Sequence, residues 1–297
     1  MRSEELKGNP LLQKLQDFSE LVMFKHSVFS LPFIFIAMIV ASFQDTGSGW
    51  FGWRLLLLGT LAAVTARNFA MGVNRYLDRD IDILNPRTKH RPSVDGRVSE
   101  GQMIGFIVLN ALAFVVVAYF VNTLAFELSV PILIVLAAYT LFKRFSALAH
   151  LILGLSLALA PIAGVVAVSG EITIWSVYLA AGVMFWVAGF DLLYSLQDME
   201  FDKAHGLHSI PSRLGASNTM RIAQTFHLLT IVLWWLFVSS AGLGVWAYAA
   251  VFFAAGMLAY EHYLVNKDFT KIDKAFFTVN GYLGFVFLIF ILLEVGL

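Results

Sequence analysis

Residues 54–82 read RLLLLGTLAAVTARNFAMGVNRYLDRDID, an apolar run of membrane-spanning length that ends in three aspartates. A bilayer core asks for roughly 20 consecutive apolar residues in a helix. The end of the run, Asn74-Arg-Tyr-Leu-Asp78-Arg-Asp80-Ile-Asp82, carries acids in a chain otherwise poor in charge. Positions 74, 78 and 82 are four apart, so on a helix Asn74, Asp78 and Asp82 share one face. Stacked carboxylates repel unless a cation neutralises them, and oxygen donors at a membrane edge suit Mg²⁺, which shares its shell with phosphate oxygens. A solvated helix end accounts for acids there equally well. A second occurrence separates the two readings. Asp191-Leu-Leu-Tyr194-Ser-Leu-Gln-Asp198-Met-Glu-Phe-Asp202 also closes an apolar run, and positions 191, 194, 198 and 202 form another one-faced stripe. Two such stripes are poorly explained as ordinary helix ends.

The rest of the composition agrees with a membrane. Of 297 residues 59% are hydrophobic and 13% charged, outside the range of soluble domains. The expected class is an all-α polytopic membrane protein. There are 27 Phe and no Cys, which excludes disulfides and thiolate metal sites. The first apolar run lacks a small-residue cleavage site and reads as a helix that stays rather than a secretory signal.

Nine spans are expected, at about 22–43, 54–77, 102–121, 124–142, 147–168, 174–197, 219–239, 243–264 and 275–296. Residues 1–20 are expected to form a cytoplasmic amino-terminal segment, with an amphipathic helix on the membrane surface. The whole chain, 1–297, is expected to be one integral-membrane domain. With the amino terminus in the cytoplasm, all of the 20 Lys and Arg except Arg54 and Arg67 fall on the cytoplasmic side, as the positive-inside rule asks. Both acidic stripes then face the cytoplasm. Lys25-His26-Ser27 and Lys143-Arg144-Phe145-Ser146 precede the two halves at similar offsets, which suggests two related halves around a cavity. Trp50, Trp53, Trp175, Trp234, Trp235 and Trp246 are expected at the non-cytoplasmic interface.

Individual residues then carry chemistry. Arg67, inside a span, costs a few kcal/mol unless it faces a polar interior and a partner. It is read either as the ion-pair partner of Asp191 or as a clamp for a substrate carboxylate. The loop Asn85-Pro-Arg87-Thr-Lys89-His-Arg91-Pro places basic groups beside the first stripe, where a diphosphate would find them. His26 and His150 are read as helix-end or core histidines.

These residues resemble the UbiA superfamily of intramembrane prenyltransferases. Asn74-x-x-x-Asp78-x-x-x-Asp82 is similar to its first aspartate-rich motif and Asp191-x-x-Tyr194-x-x-x-Asp198-x-x-x-Asp202 to its second. Arg87-Thr-x-x-Arg91-Pro, Tyr139-x-x-x-Lys143-Arg144 and Ser209-Ile-Pro211-x-Arg213-x-Gly215 resemble further segments of that family. Arg75 departs from it, since many members have a second acid there. The resemblance is greatest with 4-hydroxybenzoate polyprenyltransferases and related menaquinone-pathway enzymes. It implies nine helices around a cavity and Mg²⁺-dependent transfer of a polyprenyl group to an aromatic ring in ubiquinone or menaquinone biosynthesis, in a bacterial inner membrane. It further implies that Asn74, Asp78, Asp82, Asp198 and Asp202 hold two Mg²⁺ ions. Arg87, Arg91, Lys143 and Arg144 would bind diphosphate, while Arg67, Tyr139, Tyr194 and Asp191 would surround the acceptor, a benzoate or naphthoate. Asp191 would orient the phenol, take a proton, or serve only as Arg67's partner. The implied partners are polyprenyl diphosphate, the aromatic acid and membrane lipid, with no nucleic acid.

Two rivals remain. Haem farnesylation shares the first stripe but fits the second less well. A cation-coupled transporter predicts ionisable groups near the midplane and access from both faces, whereas the acids here gather at one.

Overall fold

The computed structural model describes residues 10–22, 31–142, 144–269 and 272–297, and within these the chain is helical without a strand. In order the helices are α1 Pro10–Leu21, α2 Leu31–Thr46, α3 Trp53–Leu77, α4 Arg79–Asp82, α5 Glu100–Val121, α6 Thr123–Phe142 and α7 Ala149–Ser169. They continue as α8 Ile174–Ser195, α9 Met199–Ala204, α10 Ile210–Ser240, α11 Val245–Lys267, α12 Ile272–Lys274 and α13 Gly281–Val295. Seven stretches among the described residues are long and apolar enough to cross a membrane: α3, α5, α6, α7, Ile174–Ala204, α10 and Phe276–Val295. The protein is an integral membrane protein. The other two expected spans coincide with α2, apolar but 16 residues long, and with α11, which carries Glu261, His262 and Lys267 near its end.

Local signals start several of these helices. Ser99 and Gln102 form a reciprocal capping box ahead of α5, and Thr173 caps α8. Ser209 and Ser212 cap α10, with proline in its first turn. That cap starts a short segment at Ile210, and a break at Gly215 (φ 75°, ψ 169°) separates it from the long helix, which begins close to the expected 219.

Helices adjacent in sequence pack side by side from α3 through α5, α6, α7, α8, α10 and α11 to α13, and α2 closes between α13 and α7. Lipid tails are as apolar as the side chains, so close fit rather than water exclusion holds such helices together. Gly154 shows the requirement: a Cβ there would overlap the Met184 carbonyl, so only glycine lets α7 lie against α8. Gly182 likewise makes room for the Trp234 ring.

Trp234 and Trp175 are buried rather than interfacial, which corrects the expectation for both. Trp234 stacks with Phe33, and Trp175 packs on Phe237, inside the largest apolar cluster. Trp50, Trp53, Trp235 and Trp246 are exposed. A π-helical turn, Ala275–Asn280, leads into α13. Asn280 Oδ1 accepts from Trp186 Nε1 at 2.8 Å, and Asn280 Nδ2 donates to Glu261 at 2.6 Å, tying α8 to α11 and the last span.

Candidate active site

Both acidic stripes lie where a long helix breaks. α3 ends at Leu77, and the chain turns at Asp78 (φ −89°, ψ 1°) into α4. α8 ends at Ser195 and passes through a 3₁₀ turn, Leu196–Asp198, before turning at Asp198 (φ −98°, ψ 2°) into α9. The two central aspartates thus share one backbone conformation, the bridge region between helix and strand. An unbroken stripe was expected in each case. The first keeps its four-residue register through the break, since Asp78 N–H donates to Asn74 O at 2.9 Å and Asp82 N–H to Asp78 O at 2.8 Å.

The structure brings the two stripes together. Asn74, Asp78, Asp82, Asp198 and Asp202 all line one cavity of about 280 Å³, together with Arg87, Arg91, Asp191 and Tyr194. Two of its acids are engaged by arginines from the intervening loop. Arg91 donates to both oxygens of Asp82, at 2.7 and 2.6 Å. Arg87 reaches across to the other stripe and pairs with Asp198 at 3.1 and 2.5 Å, where Asn85 also donates at 3.3 Å. Burial alone would lower the Arg87 guanidinium, but the hydrogen bonds and charge of Asp198 carry it above its ordinary value. Arg87 also lies over the Tyr194 ring, 5.6 Å from its centre.

Other expected residues fall elsewhere. Arg144 is bound to Asp80 at 2.9 and 2.7 Å and to the Leu77 carbonyl, and it is not among the residues lining the acidic cavity. Lys143 lies outside the described residues, as does the Lys25-His26-Ser27 segment. Arg67 lines a second, apolar chamber of about 160 Å³ between α3, α6 and α7. Tyr139 and Leu153 line both chambers and mark their junction.

Two contacts were not anticipated. Asp191, read above as a partner for Arg67 or for the acceptor phenol, meets His150: His150 Nδ1 lies 2.7 Å from Asp191 Oδ2, and His150 is 6% exposed. The residues are 41 apart in sequence, so no local motif announces the pair. Arg75, the departure noted above, is buried and donates to the Leu21 carbonyl at 3.2 Å and to Asn74 Oδ1 at 3.1 Å. It thereby fastens the end of α1 to the first stripe. Arg97 holds α1 from the other side through Glu20 at 2.6 Å.

The donor set fits a hard cation. Five oxygen-bearing side chains from two stripes face one cavity, with guanidinium groups among them to meet a multiply charged anion. Among the described residues, no three Asp, Glu or His side chains converge into a complete cage for one ion.

Residues 30–291 match the UbiA prenyltransferase family. A protein named 4-hydroxybenzoate octaprenyltransferase, from Janthinobacterium sp. (strain Marseille), is 30% identical over 237 residues, covering 78% of this chain and 81% of its own. The apo structure of a UbiA homologue from Aeropyrum pernix K1 superposes with a TM-score of 0.82 at 30% identity, covering 91% of this chain and 98% of that one. A UbiA homologue from Archaeoglobus fulgidus, solved bound to GPP and Mg²⁺, has the same fold at 17% identity, with a TM-score of 0.72 over 95% of this chain and 100% of that one. With both stripes on one cavity and the family matched across nearly its full length, the chain belongs to the UbiA prenyltransferase family.

Proposed function

We propose that this protein transfers a polyprenyl group from polyprenyl diphosphate to the ring of a carboxylated, hydroxylated aromatic acceptor, 4-hydroxybenzoate or a naphthoate analogue, as a step of quinone biosynthesis. The observation that carries this reading is the pair of adjoining chambers. One is acidic and basic by turns, the other apolar, and they meet at Tyr139 and Leu153. A molecule with a charged head and a hydrocarbon tail matches that division. The curated relative's name supports the aromatic acceptor.

Asn74, Asp78, Asp82, Asp198 and Asp202 would hold the metal, two Mg²⁺ ions with the remaining ligands drawn from diphosphate and water. Bound there, Mg²⁺ would supply neutralisation of the charge that builds on departing diphosphate. Arg87 and Arg91 would exchange their carboxylate partners for diphosphate oxygens and steady the same charge. The apolar chamber would hold the prenyl chain away from water, which otherwise quenches an allylic cation, and the aromatic faces near the junction favour positive charge. Arg67, beside the junction, is the candidate for the acceptor carboxylate. The amino terminus and both stripes are assigned to the cytoplasmic side of a bacterial inner membrane.

The test is an assay in membranes with radiolabelled 4-hydroxybenzoate, a polyprenyl diphosphate, and Mg²⁺ or EDTA. Label should enter the organic phase only with Mg²⁺. Transfer to a carboxylated naphthalene alone would move the assignment to menaquinone, and no Mg²⁺-dependent transfer to either acceptor would refute it.

A further inference from the structure

Asp191 sits in the acidic cavity, yet one of its oxygens is already committed to His150. An ionised carboxylate only accepts hydrogen bonds, so in the neutral histidine Nδ1 carries the hydrogen and Nε2 is left with its lone pair. Nε2 is buried and has no hydrogen-bond partner among the described residues, although His150 lines the same cavity. A buried polar atom without a partner is destabilising, since it has given up water and gained nothing in exchange. A ligand group that bonds it would recover that cost. His150 begins α7 one turn before Leu153, which borders both chambers, so the imidazole stands near their junction.

We infer that His150 is a catalytic residue whose Nε2 takes the hydroxyl proton of the aromatic acceptor, and that Asp191 is the positioning residue that sets its tautomer. The inference deepens the function proposed above and rests on it. As His150 Nε2 accepts the hydroxyl proton, the ring carbon ortho to that oxygen forms a C–C bond with the allylic carbon. The allylic C–O bond breaks and its electron pair leaves with diphosphate. The resulting dienone loses the proton on its alkylated carbon to diphosphate, and the freed C–H pair restores the ring. The imidazolium then returns its proton to the ring oxygen. Asp191 neither gives nor receives a proton, and its charge stabilises the transient imidazolium as in other carboxylate–histidine pairs.

The experiment uses the full chain in detergent or vesicles, with Mg²⁺, saturating polyprenyl diphosphate and varied 4-hydroxybenzoate. His150→Gln keeps a hydrogen-bonding group near the position of Nε2 but cannot take a proton. It should lower kcat about 100-fold or more, within the usual range for a general base, while the acceptor KM moves less than about threefold. Imidazole added to His150→Ala should restore turnover at least about tenfold and leave the wild type unchanged. Asp191→Asn, which offers Nδ1 an amide in place of a charge, should also lower kcat more than it raises KM. Wild-type kcat in His150→Gln overturns the assignment, and so does a change confined to KM. Should His150→Gln misfold by size-exclusion profile, Asp191→Asn decides alone, and unchanged kcat there overturns it. If the wild type prenylates neither the benzoate nor the naphthoate, the proposed function fails and takes this inference with it. A wild type that works beside an unaffected His150→Gln removes only the inference.

Discussion

Asp78 and Asp198 end comparable helices with nearly the same backbone angles, but their surroundings differ. Asp78 and Asp82 are 2% and 4% exposed, and the arginine that neutralises Asp82 comes from the adjoining loop. Asp198 and Asp202 are half-buried, and Asp198 is met by Arg87 from the other half of the chain. Buried Arg75 adds a second cation behind the first stripe and fixes it to α1, whereas the second stripe leans on the aromatic ring of Tyr194 and, through it, on Phe276, 4.3 Å away. The first stripe is built as a rigid wall and the second as a face that can adjust. A substrate anion that displaces Arg87 meets less resistance than one that displaces Arg91.

The largest expected effect treats the stripes as equals. Asp78→Ala and Asp198→Ala should each cut prenyl transfer by about a thousandfold or more, because each would remove an oxygen ligand of the proposed metal site, where charge develops. Turnover within tenfold of wild type in either variant would show that its stripe is not part of the metal site. The next pair of variants separates them by stability. Arg91→Ala leaves Asp82 buried without its cation, and breaking such a pair costs about 3 kcal/mol or more. Arg87→Ala leaves Asp198 partly open to water, its side chain 20% exposed against 6% for Asp82, so solvent takes up part of the lost pairing and the cost should be smaller. Thermal unfolding in one detergent should therefore drop clearly for Arg91→Ala and less for Arg87→Ala. Equal drops would erase the distinction drawn here.

Much of this was legible in the sequence because membranes impose simple rules. Runs of apolar residues marked the spans, and the four-residue spacing of Asn74, Asp78 and Asp82 marked the face that lines the acidic cavity. What was hidden depends on through-space geometry. Hydropathy cannot say that Trp234 turns inward while Trp235 turns out, since adjacent residues on a helix point to different sides. Nor does spacing reveal that Asp78 and Asp198 break their helices, because the break is the conformation of one residue. The basic loop was rightly associated with the acids, but that Arg87 crosses to Asp198 while Arg144 turns to Asp80 follows only from how the helices pack. His150 looked like an ordinary helix-end histidine because its partner is on another helix.

A smaller variant tests the rigid wall itself. Arg75→Ala removes the bond to Leu21 and frees Asn74 Oδ1 from its cation. Arg75 is buried, so loss of its hydrogen bonds should cost about 1–3 kcal/mol, and α1 should become more accessible to protease. The catalytic loss should be smaller than for Asp78→Ala, since Asp78 itself remains. Protection of α1 equal to wild type would mean that its other contacts, those of Arg97 and the Phe18–Phe106 stack among them, hold it without Arg75.

The least effect concerns Asp80, the one acid of the first segment that faces away from the cavity. Hydrogen bonds from Arg144 outweigh partial burial and hold its carboxyl below the usual range. A depressed folded pKa means that the pair contributes stability above the unfolded value, near 3.9, and that this contribution fades as pH falls through the lower folded value. The Asp80 side chain is 64% exposed, so solvent screens the pair and its contribution is expected to be well under 1 kcal/mol. Asp80→Asn should therefore unfold almost like the wild type at pH 7, and the small gap between them should close below about pH 4. A wide gap at pH 7 would mean that the Asp80–Arg144 pair braces the end of α3, and with it the wall that carries Asp78.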